Sequence, residues 1–203
     1  MLLDAFESQL VLVDYQTRLM PVIFEADLVT ANAVRLAQLA RLVEVPVFGT
    51  EQNPERLGHN ADAVRTLCDR TLSKMHFSAV PDGLLPWLRP PARPQQQGGN
   101  ARSLPKHLQK AAQPPADERN TIVIAGCEAH VCLLQTALEL IGEEFDVWVV
   151  TDACSSRTER NRDAAFDRLA GAGAELVTTE MVAFEWMRSC ENPVFKDMLK
   201  LVK

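Results

Sequence analysis

Gln9–Tyr15 reads QLVLVDY, in which Leu10, Val11, Leu12 and Val13 run without a polar break and stop at the carboxylate of Asp14. A continuous apolar run this short fits a strand covered on both faces, as strands are in a parallel sheet. Asp27–Val43 follows, with Leu28, Asn32, Leu36, Leu39, Ala40 and Val43 at helical spacing and Asp27 as the expected N-cap. VPVFGT (45–50) is then a second buried strand, so these segments form one strand–helix–strand unit.

The pattern returns in the second half. TIVIAG (121–126) predicts a strand, Glu128–Ile141 a helix, FDVWVVTDA (145–153) a strand, Asn161–Ala172 a helix and AELVT (174–178) a last strand. Pro193–Lys203 predicts a short amphipathic helix on the outside. Short right-handed crossovers between such elements build an α/β fold, a Rossmann-like three-layer α/β/α sandwich around a mostly parallel sheet. At 203 residues the chain is expected to be one domain, 1–203.

Eight of the twelve prolines fall between Pro81 and Pro115, and Gln95–Gly99 reads QQQGG. Proline removes a backbone donor and fixes φ, so this stretch cannot form a central strand or a long helix. The reading is a Pro-rich insertion at about 81–119, expected to contribute little to the core and to act as a lid or a subunit contact.

Composition narrows the function. The net charge is −6, from 21 Lys+Arg against 27 Asp+Glu, which gives no broad field for phosphate backbones or anionic lipid. Nucleic acid and membrane partners are therefore not expected. No apolar run approaches a membrane span, and Asp4 and Glu7 stand where a signal peptide carries positive charge, so a cytoplasmic location is expected. The five cysteines (68, 127, 132, 154, 190) are odd in number and lack CxxC spacing, which reads as free thiols.

In open parallel sheets, sites form beyond the carboxyl ends of the strands. That rule selects Asp14 with Gln16, Glu51 with Gln52, Gly126–Cys132 and Asp152, with Lys74 of TLSKMHFSA at another strand end. Cys132 lies about one turn into the helix after TIVIAG, where the positive end of the dipole favours a thiolate and a thiol pKa below about 8.5. Cys127 is nearer the strand end, and position alone does not separate the two. Asp14 is either a general base or a carboxylate capping the next loop. Lys74 alone reads as a solvated lysine, His76 and His130 as structural histidines, and Glu51 with His59 is too loosely spaced for zinc.

VDYQ (13–16), SKMHFSA (73–79) and GCEAHVCLLQTALEL (126–140), in this order, resemble the isochorismatase-like cysteine hydrolases. GTEQNPERLG (49–58), VTDACSSR (150–157) and NPVFKDMLKLVK (192–203) are most similar to the subgroup called isochorismatase domain-containing proteins. The resemblance implies a triad of Cys132 as nucleophile, Asp14 as base and Lys74 as electrostatic partner. It also implies a cis peptide between Cys127 and Glu128, and an oxyanion hole from the backbone N–H groups of Glu128 and Cys132. Tyr15, Gln16, His76, Phe77 and His130 become the expected substrate-lining residues. Nicotinamidases of this superfamily carry an Asp-x-His metal motif where this chain has Thr50-Glu51-Gln52-Asn53, so no metal and no cofactor are expected. The implied activity is hydrolysis of a small amide or related carbonyl through a thioester at Cys132, by a homo-oligomer (dimer or tetramer). Isochorismatase or metal-dependent nicotinamidase activity, and a non-catalytic binding or scaffold role, are the alternatives.

Overall fold

The computed structural model describes residues 2–90 and 119–203. Chain order is β1 (Ser8–Val13), α1 (Ala26–Leu42), β2 (Val47–Gln52), the one-turn helices α2 (Pro54–Leu57) and α3 (Asp62–Arg65), β3 (Arg70–Lys74) and α4 (Leu85–Leu88). Then come β4 (Thr121–Gly126), α5 (Leu134–Gly142), β5 (Asp146–Val150), α6 (Glu159–Gly171), β6 (Glu175–Val177), α7 (Thr179–Met187) and α8 (Phe195–Val202).

The six strands form one parallel sheet in the order β3-β2-β1-β4-β5-β6. All residues of β1, β2 and β4 are buried, which explains their unbroken apolar runs. From β1 the chain winds toward β3, and from β4 it winds toward β6. With right-handed crossovers, the two directions put helices on opposite faces. Accordingly α1 packs with α7 and α8, whereas α5 packs with α6. The reversal between β1 and β4 is a topological switch point, the place where such sheets open a crevice beyond their carboxyl ends.

Four local readings need correction. Asp27 does not cap α1: the cap is Glu25 in the left-handed region (φ 54°), and Asp27 sits in the first turn, where its charge complements the positive end of the helix dipole. Leu28 points outward, and the buried face of α1 is Val29, Asn32, Ala33, Leu36, Ala37, Leu39 and Ala40. Helix α6 begins two residues earlier than read, because Thr158 accepts from Asn161 N and caps it. Helix α7 (Thr179–Met187), capped by Thr178, follows AELVT where no element is expected, because TEMVAFEWM carries apolar residues on more than one face.

The Pro-rich stretch also divides. Residues 91–118 lie outside the described residues, so the expectation of a lid there stays untouched. Pro81–Pro90, however, belongs to the body: Leu84 and Leu88 are buried, and Trp87 lies against Phe48 and under Arg70. Gln9 Nε2 donates both to Leu88 O (3.0 Å) and to Arg119 O (2.8 Å), tying the two flanks to β1. Prolines forbade a long helix, yet one turn was enough to bury two leucines.

Gly126 ends β4 against β1, and a Cβ there would stand 2.3 Å from Val13 O and 2.5 Å from Val13 Cβ. No flexible side chain can yield, because the clash is with backbone. Gly126→Ala is expected to destabilise the protein by about 1–3 kcal/mol or more, read as a lower urea midpoint; an unchanged midpoint would refute this account of the β1–β4 seam.

Candidate active site

The strand register determines which side chains meet. Val13 pairs with Thr50 on one side and Gly126 on the other, so Asp14 emerges at the switch point between the ends of β2 and β4. Asp14 adopts φ 55°, turning the chain out of the sheet, and its N–H donates to Thr50 O (3.2 Å). Gln52 pairs with Lys74 across β2 and β3, which brings the lysine to the same edge. After β4 the Cys127–Glu128 peptide is cis, as the resemblance implied. The chain then enters a π-type turn, Ala129–Leu133, in which Glu128 O accepts from Val131 N (3.0 Å) and Leu133 N (3.3 Å). Such turns widen a helix and recur at functional sites.

Asp14, Lys74 and Cys132 converge. Lys74 Nζ lies 2.8 Å from Asp14 Oδ2, with both side chains 0% exposed. The Cys132 thiol donates to Gln52 Oε1 (4.0 Å), the acceptor that Lys74 also engages, and lies close enough to Asp14 to feel its charge; the residue is 6% exposed. Lys74 is thus no surface lysine. Its Nζ also donates to Gln52 Oε1 (2.8 Å), Phe77 O (2.9 Å) and His76 O (3.4 Å). Thr50 Oγ1 donates to Asp14 Oδ1 (2.7 Å). Cys127 is fully buried, its N–H spent on Val13 O (2.9 Å).

The thiol behaves differently from the helix-start argument. Burial pushes Cys132 up to about 12, the Asp14 carboxylate adds to the rise, and the Lys74 ammonium only partly opposes it. Desolvation of the thiolate outweighs the lysine and the short first turn. At neutral pH the Cys132 thiol keeps its proton.

The expected lining residues separate into groups. Tyr15 is buried and its hydroxyl donates to Ala153 O (2.5 Å), with the phenol pushed well up by burial; it belongs to the scaffold. Gln16 is scaffold too: it accepts from Gln52 N (2.8 Å) and donates to Gln52 O (2.9 Å) and Gly58 O (2.6 Å). His76 and Phe77 serve Lys74 through their carbonyls, while their side chains are exposed. Asp82 clamps that loop, accepting from Met75 N (2.8 Å), His76 N (2.9 Å) and the His76 ring (3.1 Å). Its partial burial works to raise the carboxyl, but these hydrogen bonds win and hold it below the usual carboxylate range. His130 is engaged by Ser156 Oγ (3.0 Å) and Asn161 Nδ2 (3.3 Å), and the Glu128 side chain by Arg157 Nε (2.9 Å). Thr50 and Gln52 are the site residues that sequence reasoning underweighted, although Gln52 stood at a strand end.

Glu51 and His59 do meet, at 2.9 Å, but Glu51 Oε1 is also taken by Asn60 N (2.9 Å). Among the described residues, no group of three or more His, Cys, Asp or Glu is arranged to hold a metal ion. No described helix is long and apolar enough to cross a membrane.

The buried thiols give a testable pH dependence. Cys68 and Cys127, like Cys132, are pushed up to about 12, mainly by burial. An unfolded thiol titrates near 8.5, so between about pH 8.5 and 12 the unfolded chain has released protons that the native state keeps. Stability is then full below that window and falls as pH rises through it. Urea midpoints should decline steadily above about pH 9, and Cys132→Ala should flatten the decline by up to about one proton; parallel curves would refute the buried, neutral thiol.

The family model described as the isochorismatase domain matches residues 8–181. Mouse isochorismatase domain-containing protein 2A is 32% identical over 196 residues, covering 97% of this chain and 82% of its own. The MAR1 ribonuclease of Caenorhabditis elegans superposes with a TM-score of 0.78 at 26% identity, covering 100% of this chain and 92% of that one. The YcaC gene product of Escherichia coli, an octameric hydrolase of unknown specificity, superposes with a TM-score of 0.77 at 24% identity, covering 99% and 94%.

Proposed function

The chain belongs to the isochorismatase family, and we propose that within it this protein is a cysteine hydrolase acting on a small amide or related carbonyl compound. The observation that carries the reading is the convergence of Asp14, Lys74 and Cys132 in one buried cluster at the switch point. A non-catalytic scaffold has no use for a buried ion pair beside a thiol.

The steps follow from the atoms present. As Cys132 sulfur attacks the carbonyl carbon, its proton passes to Asp14, and Lys74 stabilises the sulfur's developing charge. In this reading the oxyanion is held by the backbone N–H groups of Glu128 and Cys132. Protonated Asp14 then delivers the proton to the leaving nitrogen, the C–N bond breaks, and an acyl thioester remains. Asp14 next takes a proton from water, whose oxygen attacks the thioester; the C–S bond breaks and sulfur recovers the proton. No step calls for a metal or cofactor. In this reading the chain is one hydrolase domain with an insertion, working in the cytoplasm as a homo-oligomer, and its partner is the small-molecule substrate.

The test is turnover of a panel of small amides, carbamoyl compounds and isochorismate by the parent and by single variants. Cys132→Ala is expected to lower kcat by about 10³-fold or more with the melting temperature little changed, whereas Cys127→Ala keeps a substantial fraction. Asp14→Asn is expected to lower kcat similarly and the melting temperature as well, because Lys74 is left buried without its counter-charge. Parent-like turnover by Cys132→Ala on a verified substrate overturns the assignment.

A further inference from the structure

The oxygens around Lys74 outnumber its protons. An ammonium donates three hydrogens. Gln52 Oε1 (2.8 Å), Phe77 O (2.9 Å) and His76 O (3.4 Å) receive them. Asp14 Oδ2 is as close as any, at 2.8 Å, but has no donor aligned on it. The other carboxylate oxygen, Oδ1, is filled by Thr50 Oγ1. One buried carboxylate oxygen is therefore left as an open acceptor in the cluster that Cys132 joins through Gln52 Oε1 (4.0 Å), and the thiol feels the Asp14 charge.

Gln52 is what keeps it open. Its side chain is buried and held at both ends: Nε2 donates to Met75 O (2.9 Å) and Oε1 accepts from Lys74. Its main chain is gripped on both sides by the Gln16 amide. Resting on the cysteine-hydrolase reading above, we infer that Gln52 is a positioning residue: by engaging one Lys74 proton, it keeps the ammonium paired with Asp14 through charge alone and reserves Oδ2 for the thiol proton. On attack the S–H bond breaks, its electron pair stays on sulfur, and an O–H bond forms at Oδ2. Without Gln52, Lys74 turns that proton onto Oδ2, and an oxygen already holding a lysine proton is a weaker base toward the thiol.

The experiment is alkylation of Cys132 by iodoacetamide, followed by peptide mass mapping from about pH 6 to pH 11, with folding checked by melting temperature. In the parent, transfer to Asp14 is expected to give a shoulder, a pH-insensitive rate near neutrality, before the hydroxide-driven rise. Gln52→Met, which fills the space without an acceptor, is expected to lose the shoulder and to react about ten-fold or more slowly near neutrality, within what a positioned base contributes. Gln52→Glu, which returns an acceptor oxygen to the same place, is expected to restore the shoulder; its absence there overturns the inference even if Gln52→Met fails to fold. A shoulder that disappears in Asp14→Asn yet persists in Gln52→Met overturns the role of Gln52 alone. A shoulder missing from the parent, or surviving Asp14→Asn, overturns the base assignment and the inference with it.

Discussion

A buried ion pair is the constraint to which the rest of the site answers. Lys74 and Asp14 are both fully enclosed, and removing two such charges from water costs several kcal/mol each unless their remaining hydrogen-bonding capacity is met. The structure meets it from several elements at once: Thr50 and Gln52 from β2, and the carbonyls of His76 and Phe77 from the loop after β3. That loop is bent inward by Asp82, which lies outside the cluster yet shapes it. Residues that look like pocket lining in a linear motif are here spent largely on solvating a lysine.

Sheet topology makes this economy available. Asp14 stands where the winding direction reverses, so no crossover helix covers the crevice between β1 and β4. The seam below must be tight for Asp14 and Cys132 to meet, and Gly126 provides that by bringing β4 into contact with Val13 backbone. Beyond the seam, the chain passes the cis peptide into a π-type turn that carries Cys132 to Gln52, whose Oε1 accepts from the thiol (4.0 Å). Fold and site are therefore specified by the same few positions, and substitutions at the strand ends should affect both.

Much of the architecture was legible because unbroken runs such as QLVLVDY and TIVIAG occur almost only in strands covered on both faces. Strand ends then pointed to Asp14, Lys74 and the Cys127–Cys132 segment, while choosing Cys132 over Cys127 needed family resemblance. Three things were not legible. The capping of α1 depended on a left-handed Glu25, which no local pattern announces. The burial of Leu84 and Leu88 was masked by neighbouring prolines, since composition reports what a segment cannot form more readily than what it packs against. Gln52 was seen only as a strand-end residue, because its role arises from counting the protons of a lysine two strands from Asp14 in the sheet order.

The thiol's direction is the most instructive departure. A cysteine at a helix start beside a lysine suggests a ready thiolate, but that argument weighs attractions and omits the solvent the thiolate would lose. Here burial and Asp14 together keep the proton on sulfur. The arrangement is coherent as chemistry: a neutral thiol beside a compensated ion pair adds no net charge to a buried cluster. Charge separates only when an electrophile is in place to receive the sulfur's electron pair. A buried neutral thiol is slow toward adventitious oxidants, whose attack follows thiolate character and exposure. In the proposed hydrolase, reactivity depends on an open acceptor oxygen near the thiol more than on a standing population of thiolate.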